Sequence, residues 1–133
     1  WDWRTSAEGR LAEVIVLDQF SRNLFRDDPA AFAQDGMALV LAQEAIALGV
    51  DQALPVMQRS FLYMPFMHSE SPVIHDRAMV LFDVPGMESS LDYERRHRDI
   101  IRRFGRYPHR NAILGRESTP EERDFLTQPG SSF

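Results

Sequence analysis

The chain contains no cysteine and no lysine. Without cysteine there is no disulfide framework, thiolate nucleophile, cysteine-ligated zinc or iron–sulfur site. Without lysine every basic side chain is an arginine. The plainest reading of such usage is codon bias in a GC-rich genome. Its chemical consequence is that all fixed cations are planar forks suited to carboxylate and phosphate. No apolar run approaches the ~20 residues of a membrane-spanning helix. Trp1-Asp2-Trp3-Arg4 opens no signal-peptide pattern, so a soluble, cytoplasmic protein with no membrane partner is expected. The phosphate-cradling G-x-x-x-x-G-K-[ST], the G-x-S-x-G elbow, the dinucleotide G-x-G-x-x-G and the zinc H-E-x-x-H are all missing. No cofactor and no metal are therefore expected. Linker-like, low-complexity and cleanly repeated segments are missing too, including a 34-residue repeat.

What is there fits one domain of 133 residues, 44% hydrophobic and 26% charged. A chain of this length can bury roughly two thirds of its unfolded surface, enough for a core. Twenty acids against fifteen arginines give a net charge of −5, which disfavours a nucleic-acid partner. The distribution is uneven. Residues 95–116 hold eight arginines and a single acid, Asp99, for a local +7, while the remainder carries −12. A local anion site remains open.

Apolar spacing is helical nearly throughout. It predicts a first helix from about Ser6 to Arg26. A second has Asp28 as N-cap, Pro29 at its first position and Gly49 just past its end, with Phe32, Leu39, Ala42, Ala45 and Ile46 on one small-residue face. Val56 to His68 reads either as an edge strand or as a helix kinked at Pro65, and helical neighbours favour the helix. Further helices are expected over Pro72 to Val84, Glu88 to Phe104 and a short one after Thr119, where Pro120 and Glu122 complete a capping box. Between Gly105 and Ser118 about fourteen residues show no helical pattern, and loops that long are often functional. The tail from Gln128 to Phe133 reads as frayed.

Four constellations carry chemistry. In the first helix Asp18 and Arg22 are i,i+4 partners inside the apolar arc of Leu11, Val14, Ile15 and Phe25. They either hold two helices in register or line a pocket. Arg26 continues their row, and Asn23 points elsewhere. His68-Ser69-Glu70, with His75 and Asp76 nearby, offers capping groups or an acid–base pair, without any zinc spacing. In the fifth helix His97 sits in the face of Tyr93, Ile100, Ile101 and Phe104, as a satisfied core imidazole or one facing a ligand. Arg95, Arg98, Arg102 and Arg106 run beside it as a basic stripe. The long segment adds His109, Arg110, Asn111 and Arg116 to Arg106. Its guanidiniums suit a carboxylate or phosphate ligand, or equally the acidic helix ends of the fold itself.

The stretches L-D-Q-F-S-R-N-L-F-R, P-F-M-H-S-E and R-H-R-D-I-I-R-R-F-G-R-Y-P-H-R-N-A-I-L-G-R-E-S-T-P-E-E resemble the bacterial domain-of-unknown-function family 924, in the family's order from Trp3 to Leu126. The resemblance implies an all-α, tetratricopeptide-like fold of antiparallel helical hairpins, about six helices, and no activity. It carries Asp18, Arg22, Asn23, His68, Glu70, His97, Arg98, Arg106, His109, Arg110, Asn111 and Arg116 as motif positions without roles. Ser21 stands where the family usually has proline, which would favour a bend in the first helix. Family members usually open with a further N-terminal helical stretch. Its lack here implies an exposed apolar patch around Trp1, Trp3 and the first helix, open to homo-oligomerisation.

Two functions follow as expectations. In one, at least two of Arg22, Arg98, Arg106, Arg110 and Arg116 converge with His97 or His109 on a pocket for a small anion, with or without catalysis. In the other, the helical hairpins form a groove for a protein or peptide partner. Helix content above half with essentially no sheet is expected in either case.

Overall fold

A computed structural model describes residues 2–133, and among them all regular structure is helical, with no strand. Ser6 opens α1 (Ala7–Ile15), its Oγ accepting the Gly9 N–H at 3.0 Å. The chain then widens into a π-helical turn over Val16–Phe20 before α2 (Ser21–Leu24) resumes α-geometry. Straight helical spacing puts Phe25 in the core and extends the helix to Arg26. The π-turn changes the phase, so Phe25 is left 47% exposed while Asp18 stays buried beside Leu11 and Val14. The irregularity ends at Ser21, the position for which the family resemblance suggests a bend.

Asp28 caps as expected, but only a single 3-10 turn, Pro29–Ala31. The chain turns at Phe32 before α3 (Asp35–Ala47) begins, and Gly49, at φ 71°, terminates it. Helix α4 (Val56–His68) continues through Pro65. Helix α5 (Pro72–Phe82) stops two residues short of Val84, and α6 (Glu88–Phe104) ends at Gly105, φ 72°. The segment that reads as a plain loop contains a 3-10 turn, Pro108–Arg110, and a short α7 (Asn111–Leu114). Helix α8 (Pro120–Leu126) starts from the Thr119–Glu122 capping box. Counting α1 to α2 as one continuous run gives seven helices among the described residues, and α7 is the one that residue spacing does not predict.

Consecutive helices pack on one another, α3 on α4, α4 on α5 and α5 on α6, with α1 laid against α3 and α4. Ala38, Ala42 and Ala45 are fully buried, so the small face of α3 allows close approach. The main core joins Leu11 and Val14 to Leu41, Leu62, Phe66, Leu81, Phe82 and Leu91. A smaller core of Ile100, Ile101 and Tyr107 is extended by Phe104 and Phe125. Tyr93 does not join the α6 apolar face: it is half exposed, with the Arg96 guanidinium over its ring. The tail is not frayed. Ser131 is buried, its Oγ donating to the Leu126 carbonyl, and the Phe133 ring stacks on His97 with centroids 3.8 Å apart. Trp3, Phe20 and Leu24 are exposed, whereas Trp1 lies outside the described residues.

One buried polar chain ties the two cores together. His75 and Glu94 are wholly inaccessible, with Nδ1 and Oε1 2.6 Å apart. Burial raises the Glu94 carboxyl above its usual range, against the pull of His75. The other ring nitrogen of His75 donates to the Ser69 carbonyl at 2.7 Å. It also lies 3.1 Å from the Tyr107 hydroxyl, which donates to the Met67 carbonyl at 2.5 Å. Tyr107→Phe keeps the ring and removes this link. A loss of about 1–3 kcal/mol in chemical denaturation is expected for stranded buried partners, with the helical circular dichroism spectrum unchanged.

Candidate functional site

The end of α2, the turn before α3, the last residue of α4, the middle of α6 and the 107–113 segment enclose a cavity of about 500 Å³. Its wall carries Arg22, Asn23, Arg26, His68, His97, His109 and Arg110, with Phe32, Tyr107 and Phe133 as aromatic surfaces. Arg22 and Arg110 thus share one concave surface with both His97 and His109. A smaller cavity of about 340 Å³ adjoins it across Phe32, His68 and Arg110.

Arg110 is 6% exposed. The 3-10 turn at Pro108 places its guanidinium 4.5 Å from the Phe32 ring centre and 4.8 Å from that of Tyr107. One Nη donates to the His68 carbonyl at 2.8 Å, the other to Asp35 at 3.5 Å. The Nε–H is buried with no acceptor among the described residues. Burial lowers the Arg110 pKa, with Asp35 acting the other way. Beside it, His109 Nδ1 is also buried without a partner, and burial, reinforced by Arg110, lowers its pKa to about 4.

Arg22 grips Asp35 with both Nη atoms, at 2.7 and 2.9 Å, and reaches Asp18 Oδ1 at 3.2 Å. Asp18, 1% exposed, also accepts from Gln19 at 2.6 Å and meets His68 Nδ1 at 2.7 Å. Burial pushes the Asp18 carboxyl up, but His68, Arg22 and Gln19 together hold it below the usual range. Asp18 lies within the π-turn and Arg22 in the α-turn that follows it. His97 donates Nδ1–H to the Tyr93 carbonyl at 2.7 Å, and burial lowers its pKa to about 4.

The remaining motif positions lie elsewhere. Arg98 pairs with Asp76 on the exposed side of α6. Arg106 binds Glu122 in a fork at 2.7 and 2.8 Å, and Glu122 falls to about 2 through Arg106 and the capping N–H. Arg116 forks onto Glu70 at 2.8 and 2.9 Å and holds Asn111 Oδ1 at 3.0 Å. Glu70 further accepts the Tyr107 N–H, and Asn111 donates to Ser118 and Glu122. These pairs frame the 105–118 segment, so internal acids neutralise most of its positive charge. Arg26 continues into the cavity wall, exposed and without an ion-pair partner among the described residues. Asn23 also reaches the wall, although a straight helix points it away.

Spacing alone missed Asp35, Phe32, Tyr107 and Phe133. The first two were hidden by reading the 29–47 stretch as unbroken helix. Tyr107 had a signal, an aromatic between Arg106 and Pro108, whereas nothing local marks Phe133. Among the described residues no three histidine, aspartate or glutamate side chains gather as a metal site, and no helix is long and apolar enough to cross a membrane.

Comparison with known proteins gives two similarities. The model of a family described as "Bacterial protein of unknown function (DUF924)" matches residues 1–130. Among solved structures, the chain is similar to the protein of unknown function ATU0120 from Agrobacterium tumefaciens. The two are 46% identical with a TM-score of 0.89, over 94% of this chain and 70% of that one. No curated protein matches.

The cavity wall generates two predictions. Asp18→Ala leaves Arg22 on its Asp35 fork but strands His68 Nδ1 beside a buried void, and should cost about 1–3 kcal/mol in denaturant unfolding. A loss below about 0.5 kcal/mol would mark a surface-type pair. Stability should also fall between about pH 6.5 and 4. There the unfolded chain protonates its histidines while folded His97 and His109, held at about 4, do not. Each contributes a slope of about 1.4 kcal/mol per pH unit in that window. His97→Gln and His109→Gln should each flatten the profile, and an unchanged profile would contradict the buried neutral state.

Proposed function

The chain belongs to the bacterial DUF924 family, a membership that supplies no activity, and we propose that it binds a small carboxylate- or phosphate-bearing molecule in the cavity around Arg110. The observation that carries this reading is the buried Arg110 Nε–H without an acceptor. An unpaired donor on a buried cation is costly. An anionic oxygen that reaches this donor from the cavity, with a small shift of the side chain, would relieve that cost, and Arg26 is free to meet the same charge from the rim. Phe32, Tyr107 and Phe133 give a planar or apolar portion of the ligand surfaces to rest on. A cytoplasmic setting, where such metabolites are plentiful, suits this use.

The second reading is a tetratricopeptide-like interaction module. Sequential packing of helices α3 to α6 favours it, as do the exposed Met57, Val73 and Val80 side chains. It draws nothing from the arginines and histidines of the cavity.

Thermal shift against a panel of phosphorylated and carboxylated metabolites separates the two. A ligand at a hundred times its dissociation constant adds about 2.7 kcal/mol of stability. Arg110→Ala should abolish the shift and Arg26→Ala should weaken it. Arg98→Ala, on the far side of α6, should leave it intact. If no anion raises the melting temperature, the anion reading fails and the interaction module leads.

A further inference from the structure

The Asp18–His68 pair contains more than anion binding requires. Asp18 is enclosed on all sides and, although burial opposes ionisation, His68, Arg22 and Gln19 hold the carboxylate charged. His68 Nδ1 at 2.7 Å from a charged oxygen is therefore the protonated nitrogen. In its neutral form the ring then keeps its lone pair on Nε2, at the edge away from Asp18. His68 forms part of the cavity wall, and its Nε2 has no hydrogen-bond partner among the described residues.

The other histidines are arranged differently. His97 gives its Nδ1–H to a backbone carbonyl, His109 has no carboxylate partner, and His75 is sealed in the core with both nitrogens engaged. Among the described residues His68 alone joins a carboxylate-bound Nδ1 to a place in the cavity wall. No serine, threonine, cysteine or lysine side chain lines the cavity, so none of these residue types is in place to form a covalent intermediate there.

We propose that Asp18 and His68 form a general-base dyad, with His68 removing a proton from an anionic substrate held by Arg110 and Arg26. This rests on the anion reading of the cavity and adds a chemical step to it. Nε2 takes a proton from an acidic bond of the bound molecule next to its carboxylate or phosphate. The electron pair stays on the substrate, where the guanidiniums offset the new charge, and the imidazolium returns the proton to close the step. No oxidant, reductant or further reactant is consumed. His68 is the catalytic residue. Asp18 is a positioning residue, fixing the tautomer and stabilising the imidazolium.

The test uses the whole chain in phosphate-free buffer at pH 7. Nitrogen-15 NMR of the histidines should show the neutral His68 ring protonated at Nδ1 and free at Nε2; the opposite tautomer would overturn the dyad. Diethyl pyrocarbonate, with sites mapped by mass spectrometry, should modify His68 fastest of the four histidines. Asp18→Asn keeps an acceptor for Nδ1–H and removes the charge. Compared on the high-pH plateau, where the ring is neutral in both proteins, it should slow His68 severalfold while the His97 and His109 rates stay as they were. An unreactive His68, or a rate indifferent to Asp18→Asn, would refute the proposal. Inorganic phosphate protecting His68 supports the anion reading. If protection is missing while the Asp18 dependence persists, that reading falls and the base stands.

Discussion

The burial of the Arg110 guanidinium is the constraint on which the rest depends. A cation at 6% exposure needs partners inside the fold. Phe32 and Tyr107 meet its faces, and Asp35 and the His68 carbonyl meet its two ends. These four come from the turn before α3, the segment after α6, the first residue of α3 and the last residue of α4. One side chain therefore sets where four parts of the chain lie, and the cavity is the space they leave. Asp35 passes the constraint on, since it also receives both Nη atoms of Arg22, which in turn reaches Asp18.

Around this centre the positive charge of residues 95–116 divides by location. Arg98 and Arg103 meet Asp76 and Glu121 at the surface, where such pairs contribute little. Arg106 and Arg116 meet Glu122 and Glu70 in bidentate forks that fold the 105–118 segment back onto the helices. Arg110 is the arginine of that segment taken inside, and it keeps a donor in reserve. Frame and site are built from one residue type, and burial decides which is which.

Much of this fold was legible in residue order because local rules and tertiary packing agree. The limits of α4 and α6, the stop at Gly105 and the Thr119 capping box all follow from spacing and caps. Spacing fails where tertiary partners override local preference. The π-turn at Val16–Phe20 contains Asp18, and a straight-helix reading cannot anticipate an inserted residue. The break at Phe32 interrupts a good helix pattern, and it is there that the ring meets Arg22 and Arg110. Short α7 is held by Gly115 and by Asn111, whose partners Arg116, Ser118 and Glu122 lie past the end of the helix. The tail depends on His97, a residue 36 positions away from Phe133 that no local signal names. Within the site, the arginine and histidine motif positions could be picked out by type. Which of them share a cavity was set by contacts between segments, and these divided Arg22 and Arg110 from Arg98, Arg106 and Arg116.

The most direct measurement follows the Arg110 Nε–H itself, by nitrogen-15 NMR of the arginine side chains during titration with inorganic phosphate. An anion seated on the reserved donor should shift that resonance and slow its exchange with water, while the Nε–H signals of Arg98 and Arg106, already bonded to carboxylates, hold their positions. A titration in which Arg110 stays still while surface arginines respond, or in which none responds, would contradict the account.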